Sequence, residues 1–261
     1  MATPHLESID LPPALAGAAC DFVFDRTSVR ALDQAAIEEF GLPSSVLMEN
    51  AATALAHVAN QLLCRERQCA IIACGPGNNG GDGFALARKL LNLGHDVRVM
   101  TFCDESRFKG DAAMNLKVIQ RMQAPIHFIA DQPSDELNAL AQGVERGILI
   151  VDALFGTGLD APVRAPYDAA VRWINAYRRG QSASCVLAID IPSGLDCDSG
   201  LPLGDQSELT VHADVTVTLA GHKLGLRSPE SRDYAGRVLA ADIGAPLALL
   251  ERFGRPIGDA A

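Results

Sequence analysis

Apolar positions along the chain follow two periods in two zones. In RTSVRALDQAAIEEF (26–40), Val29, Leu32, Ala36 and Phe40 fall at helical spacing on one face, and Gly41 is placed to stop the helix. A second helix is predicted after Pro43, through SSVLMENAATALAHVANQLL, with Val46, Leu47, Ala51, Leu55 and Val58 as its stripe. Beyond residue 67 short, continuous apolar runs alternate with helical patterns. QCAIIAC (68–74), DVRVMTF (96–102), IHFIA (126–130), GILIVDAL (147–154), SCVLAIDI (184–191), ADVTVTL (213–219) and RVLAADI (237–243) read as strands. Residues 81–94, 110–123, 133–145 and 166–179 read as helices, with Asp82 a candidate N-cap and Gly94 a stop. Repeated β-α-β units predict an α/β fold, a mainly parallel sheet with helices on both faces. Residues 1–24, with Pro12 and Pro13, read as an N-terminal arm, 25–250 as one domain and 251–261 as a tail.

Composition narrows the class. The chain has 261 residues, 48% hydrophobic and 21% charged, enough for one large domain with a buried core. Basic residues number 22 against 32 acidic, so 22 − 32 = −10. That balance offers no electrostatic footprint for nucleic acid or an anionic membrane. No apolar run approaches the roughly 20 residues that span a bilayer. The N-terminus has no basic region and carries early acids, which is unlike a signal peptide. Seven cysteines without a C-x-x-C pair, among them Cys69, Cys74, Cys103 and Cys185 in strand-like runs, read as core thiols of a reducing compartment, the cytoplasm. The six histidines are scattered, with no zinc spacing.

Ligands of such sheets bind beyond the carboxyl ends of the strands, which selects loops 75–82, 103–110, 152–162, 191–200 and 220–225. In CGPGNNGGDGF (74–84), Gly75, Gly77 and Gly80 have the G-x-G-x-x-G spacing between a strand and a helix. The free N–H groups of that helix end suit an oxyanion. Two features fit a dinucleotide-dependent oxidoreductase badly. The acid that reads the ribose, about 20 residues on, is missing, because Arg98-Val-Met-Thr-Phe102 stands there. Asn78, Asn79 and Asp82 also occupy the loop, and a carboxylate facing pyrophosphate would repel it. A nucleotide-hydrolysing loop is a near miss, since Gly81-Asp82 replaces Lys-Ser/Thr. Asp152 and the turn Gly156-Thr157-Gly158 follow one strand; Asp190 and then Ser193 follow another. A carboxyl at a strand end beside a glycine cleft is placed for proton transfer, although an Asx-type turn explains it equally. Asn79, Asp152 and Ser193 supply oxygen donors suited to a hard cation of low charge. Lys223, after a strand and before Gly225, faces either the cleft or solvent.

LMENAA (47–52), CGPGNNGGDG (74–83), VDALFGTGL (151–159) and AIDIPSGLD (188–196) occur in this order and resemble the NAD(P)H-hydrate epimerase family, the YjeF N-terminal domain. The resemblance covers about residues 25–250. It implies a Rossmann-like three-layer αβα sandwich, a homodimer, and exchange between the R and S forms of hydrated NADH and NADPH (NADHX and NADPHX). It implies substrate loops at Asn78, Asn79, Gly80, Gly81 and Asp82 and at Gly156, Thr157, Gly158, Leu159, Asp160, Ala161 and Pro162, together with Asp190. It also implies one potassium ion per subunit, held by Asn79, Asp152 and Ser193. Asp190 is the expected catalytic acid–base group, with Lys223 a second candidate. Many bacterial members carry a fused dehydratase domain; here that enzyme is expected to be a separate protein. A dimeric scaffold of the same fold without this reaction is the rival class, and an NAD(P)-dependent oxidoreductase a more distant one.

Overall fold

The computed structural model describes residues 6–129, 133–144, 147–181 and 183–259. In chain order the elements begin with α1 (Pro13–Ala16), β1 (Phe22–Phe24), α2 (Arg26–Glu38), α3 (Ser44–Glu66), β2 (Arg67–Cys74) and α4 (Asn78–Asn92). Next come β3 (Asp96–Thr101), α5 (Gly110–Arg121), β4 (Ile126–Phe128), α6 (Pro133–Leu140), β5 (Gly147–Ala153), α7 (Tyr167–Gly180) and β6 (Cys185–Ile189). The chain ends with β7 (Val215–Leu219), β8 (His222–Lys223), α8 (Arg232–Ala235), β9 (Arg237–Ala241), α9 (Leu247–Phe253) and β10 (Arg255–Pro256). Positions 130 and 145, predicted as the ends of a strand and a helix, lie outside the described residues.

The main sheet has seven parallel strands in the order β4-β3-β2-β5-β6-β7-β9. The strands sort their side chains at a period of two. Ala70, Ile72 and Cys74 with Leu149 and Val151 enter the core beneath α3, α4 and α5. Cys69, Ile71 and Ala73 with Ile148 and Ile150 enter the core beneath α6 and α7. Burial on both faces is why these strands read as unbroken apolar runs rather than alternating ones. From β2 the chain winds outward through β3 to β4. It then returns to β5 on the other side of β2 and winds away through β6, β7 and β9. Strand order therefore reverses between β2 and β5, where a crevice opens at the carboxyl ends. Loops 75–77 and 154–159 flank it.

Residues 6–24 pack against the rest of the chain. Ile9, Ala19, Phe22, Val23 and Phe24 are buried. β1 makes a second, three-stranded sheet, antiparallel to β10 and parallel to β8, with Phe24 opposite Lys223. The pairing was invisible in the sequence because β8 and β10 have two residues each, too few for a periodic signal. Asp25 then starts α2 through a capping box: its Oδ1 accepts from Ser28 N at 2.7 Å, and Ser28 Oγ accepts from Asp25 N at 2.9 Å. The predicted apolar faces lose one member each. Phe40 and Val46 are exposed, at the ends where α2 and α3 leave the core.

Candidate active site

A cavity of about 720 Å³ occupies the crevice. Its floor is the carboxyl end of the sheet, represented by Asp190, Leu219 and Lys223. One wall is the start of α4, another the loop 154–159, and the remaining side is the cavity-facing surface of α2 and α3.

Asp190 is the first residue past β6. Its backbone has φ +68°, in the left-handed region that costs a non-glycine residue about 1–2 kcal/mol. A backbone bond from its N–H to Val217 O keeps the residue on the sheet while the twist aims the carboxyl into the cavity. Oδ1 lies 2.7 Å from Lys223 Nζ and accepts from Leu219 N at 3.3 Å; Oδ2 accepts from Thr157 N at 3.2 Å. Lys223 settles the choice between cleft and solvent. It is 1% exposed, and its ammonium also donates to Thr218 Oγ1 at 3.0 Å, Leu219 O at 2.6 Å and Gly221 O at 3.2 Å. A buried ammonium is tolerated only with its donors used, and here all three are.

Asp82 is not an N-cap. The helix begins at Asn78 with Gly77 as its cap, which places Asp82 in the second turn. Burial, followed by the charges of Asp190, Asp33 and Asp111, pushes its carboxyl well above the usual carboxylate range. Asn79 is buried beside it, and its Nδ2 has no hydrogen-bond partner among the described residues. Gly80 and Gly81 face packing rather than the cavity. A Cβ on the first would strike Gly75 O, and on the second Met48 Cε at 2.7 Å.

Asp152 is fully buried behind the loop. Its Oδ1 accepts from Leu154 N at 3.2 Å and Ser193 Oγ at 2.7 Å, and Oδ2 accepts from Ser193 N at 2.8 Å. Burial raises its carboxyl to about 6 against the pull of those donors. Gly156 is where the loop approaches the site most closely. A Cβ there would lie 2.8 Å from Asp190 Oδ2 and 3.2 Å from Asn79 Oδ1. Gly156, Thr157, Gly158 and Leu159 line the cavity, as do Asn78, Asn79 and Asp82, whereas Asp160, Ala161 and Pro162 run on past its wall.

The sequence predicts α2 from its apolar face alone. Its polar face instead enters the site. Arg26 donates through Nη1 to Thr157 O at 3.1 Å and to Leu159 O, and through Nη2 to Asp196 Oδ2 at 2.6 Å. Arg30 reaches Thr157 O and Gly158 O, both at 3.3 Å. Asp33 follows on the same face and lines the cavity. The spacing 26, 30, 33 is i, i+4, i+7, a charged stripe beside the apolar one and the signal that would have found them.

The family model for YjeF-related protein N-terminus matches residues 44–225. The chain belongs to that family. The matched span includes the glycine loop, Asp152, Asp190, Ser193 and Lys223, while the charged face of α2 precedes it. A relative from Pirellula staleyi, named NAD(P)H-hydrate epimerase, is 37% identical over 232 residues, 88% of this chain and 96% of that protein. The bifunctional NAD(P)H-hydrate repair enzyme Nnr of Salinibacter ruber is 38% identical over 249 residues, 93% of this chain but only 44% of that protein. The crystal structure of yeast ynu0, YNL200c, superposes with a TM-score of 0.71 at 22% identity, covering 92% of this chain and 96% of that one, a likeness of fold. Among the described residues no helix is long and apolar enough to cross a membrane, and no group of three or more His, Cys, Asp or Glu is placed to hold a metal ion.

Proposed function

We propose that this YjeF-family chain is an isomerase that interconverts the R and S forms of NADHX and NADPHX, so that an S-specific dehydratase can restore the reduced cofactor. The reading is carried by the Asp190–Lys223 ion pair at the floor of a cavity, 2.7 Å from oxygen to nitrogen, between two glycine loops. The named relatives support the substrate. Asn78, Asn79 and Asp82 of one loop and Gly156, Thr157, Gly158 and Leu159 of the other meet the substrate. The N-terminus of α4, where backbone N–H groups have no helical acceptor, receives the pyrophosphate.

Epimerisation at C6 breaks the bond to oxygen on one face and remakes it on the other. The ring nitrogen lone pair expels the hydroxyl and leaves an iminium-like cation. An acid must protonate the departing oxygen and a base must deprotonate the incoming water, and Asp190 serves in this exchange from the cavity floor. Its carboxylate also stands where positive charge develops on the ring. Lys223, with every proton donated inside the protein, acts by holding Asp190 in position.

Asn79, Asp152 and Ser193 hold one potassium ion per subunit. The fit is supported by the partnerless Asn79 amide: turning it about Cβ–Cγ aims its oxygen into the space its nitrogen now occupies. Asp152 uses three of about four acceptor directions and keeps one in reserve. One carboxylate among neutral oxygens suits a monovalent ion, which would stiffen loop 154–157 and add positive charge beside an anionic substrate. The working form is a cytoplasmic homodimer.

Chromatographic exchange of separated NADHX epimers tests the function. The purified protein should drive either epimer to the equilibrium mixture at least a hundredfold faster than buffer. No acceleration over the spontaneous rate would end the reading.

A further inference from the structure

The exchange needs a proton delivered on one face of the ring and removed on the other, yet Asp190 approaches from the sheet floor alone. A second carboxyl faces the same cavity from the helix wall. Asp33 sits on α2 one turn beyond Arg30, on the stripe that grips loop 157–159. That loop in turn donates Thr157 N–H to Asp190. Helix α2 and the Asp190 carboxyl are thus tied to the same loop by hydrogen bonds.

We propose that Asp33 is a second catalytic acid–base group, meeting the substrate oxygen from the helix wall while Asp190 works from the floor. The proposal rests on the epimerase reading above. In one direction the Asp33 carboxyl gives its proton to the C6 hydroxyl. The C6–O bond breaks, its electron pair leaves with oxygen as water, and the nitrogen lone pair closes the C=N bond. A cavity water adds to the opposite face, the π electrons return to nitrogen, and Asp190 takes the proton that water sheds. Asp33 ends ionised and Asp190 protonated, the form suited to the other epimer. The pair holds one proton throughout, and no oxidant or reductant is involved.

The surroundings of Asp33 suit both roles. Its carboxyl takes part in no hydrogen bond or ion pair among the described residues. The residue is exposed to the open cavity, and partial desolvation by the surrounding protein lifts its carboxyl to about 6, with Lys223 pulling down and Asp190 pushing up. Charged groups around it are Arg30 on its own helix, Asp82 on α4, Asp111 on α5, Asp190 after β6 and Lys223 on β8. A group titrating near the working pH exchanges protons at low cost in driving force. Asp33 lies outside the span matched by the family model, 44–225, so the proposal comes from the fold rather than from the motifs.

The test is the pH profile of R/S exchange, with the spontaneous rate subtracted at each pH, for wild type, Asp33→Asn and Asp33→Glu. Wild type should show a bell, falling where both carboxyls are protonated and again where both are ionised. Asp33→Asn should exchange about a hundredfold more slowly or worse through kcat, keep its KM, and show one limb only. Asp33→Glu should stay within about tenfold of wild type and keep both limbs. If Asp33→Asn melts early, Asp33→Glu carries the test through its two limbs. A wild-type rate and bell in Asp33→Asn, a loss confined to KM, or a single limb in Asp33→Glu would overturn the proposal while leaving the epimerase reading intact. A wild-type protein that accelerates nothing would end both.

Discussion

Asp152 is the last residue but one of β5 and Asp190 follows the end of the neighbouring strand, β6, yet the two carboxyls meet opposite conditions. Asp152 is turned inward, fully buried, and satisfied by two backbone N–H groups and the Ser193 hydroxyl. Asp190, with φ +68°, is turned outward against Lys223 and the cavity. One holds the loop that walls the site, and the other stands where a ligand must pass. Both look alike in sequence, an aspartate after an apolar run. What separates them is a local backbone twist and a lysine 33 positions downstream, delivered by a two-residue strand. Burial with complete partners marks a structural carboxyl, whereas burial with one strong partner and an open side marks a chemical one.

The sharpest test of that division is Asp190→Asn. It should slow R/S exchange by about two to four orders of magnitude while moving the melting temperature little. A rate within twofold of wild type would erase the distinction between the two residues. Asp152→Ala should do the reverse. It strands two buried backbone donors, Leu154 N and Ser193 N, and should cost about 3 kcal/mol in urea unfolding. It should also abolish any gain in melting temperature when potassium replaces a large organic cation. Unchanged stability would show that Asp152 holds nothing.

Gly156→Ala probes the border between the two regions. Its Cβ would press on Asp190 Oδ2 and Asn79 Oδ1, so exchange should fall about tenfold with little change in melting. A normal rate would mean that the loop yields freely. The smallest effect is a pH slope. Asp33 titrates at about 6 in the folded chain against 3.8 as the ordinary value. Between those limits the native state binds the extra proton, so Asp33 stabilises below about pH 4 and that contribution is lost as pH rises through 6. The unfolding free energy of wild type should decline relative to Asp33→Asn across this window. A parallel pair of curves would show that Asp33 is not held up.

Much of this was legible before any coordinates. The seven parallel strands were readable because burial on both faces forces unbroken apolar runs, and helices between them obey a different period. Motif order brought out the two glycine loops and the pair Asp152 and Asp190, for close backbone approach leaves glycine little alternative at Gly75 and Gly156. Three matters belonged to the tertiary structure. Lys223 became a buried partner because β8 pairs with β1 across some 200 residues, and a pairing of two residues carries no periodicity. Asp82 became a buried second-turn group because the helix began at Asn78, a boundary that spacing does not fix. Asp33 entered the site because α2 packs its apolar side against α9 and β1, which leaves its charged stripe to face the crevice. Local periodicity determines which residues can share a face. Only packing between distant segments determines what that face meets.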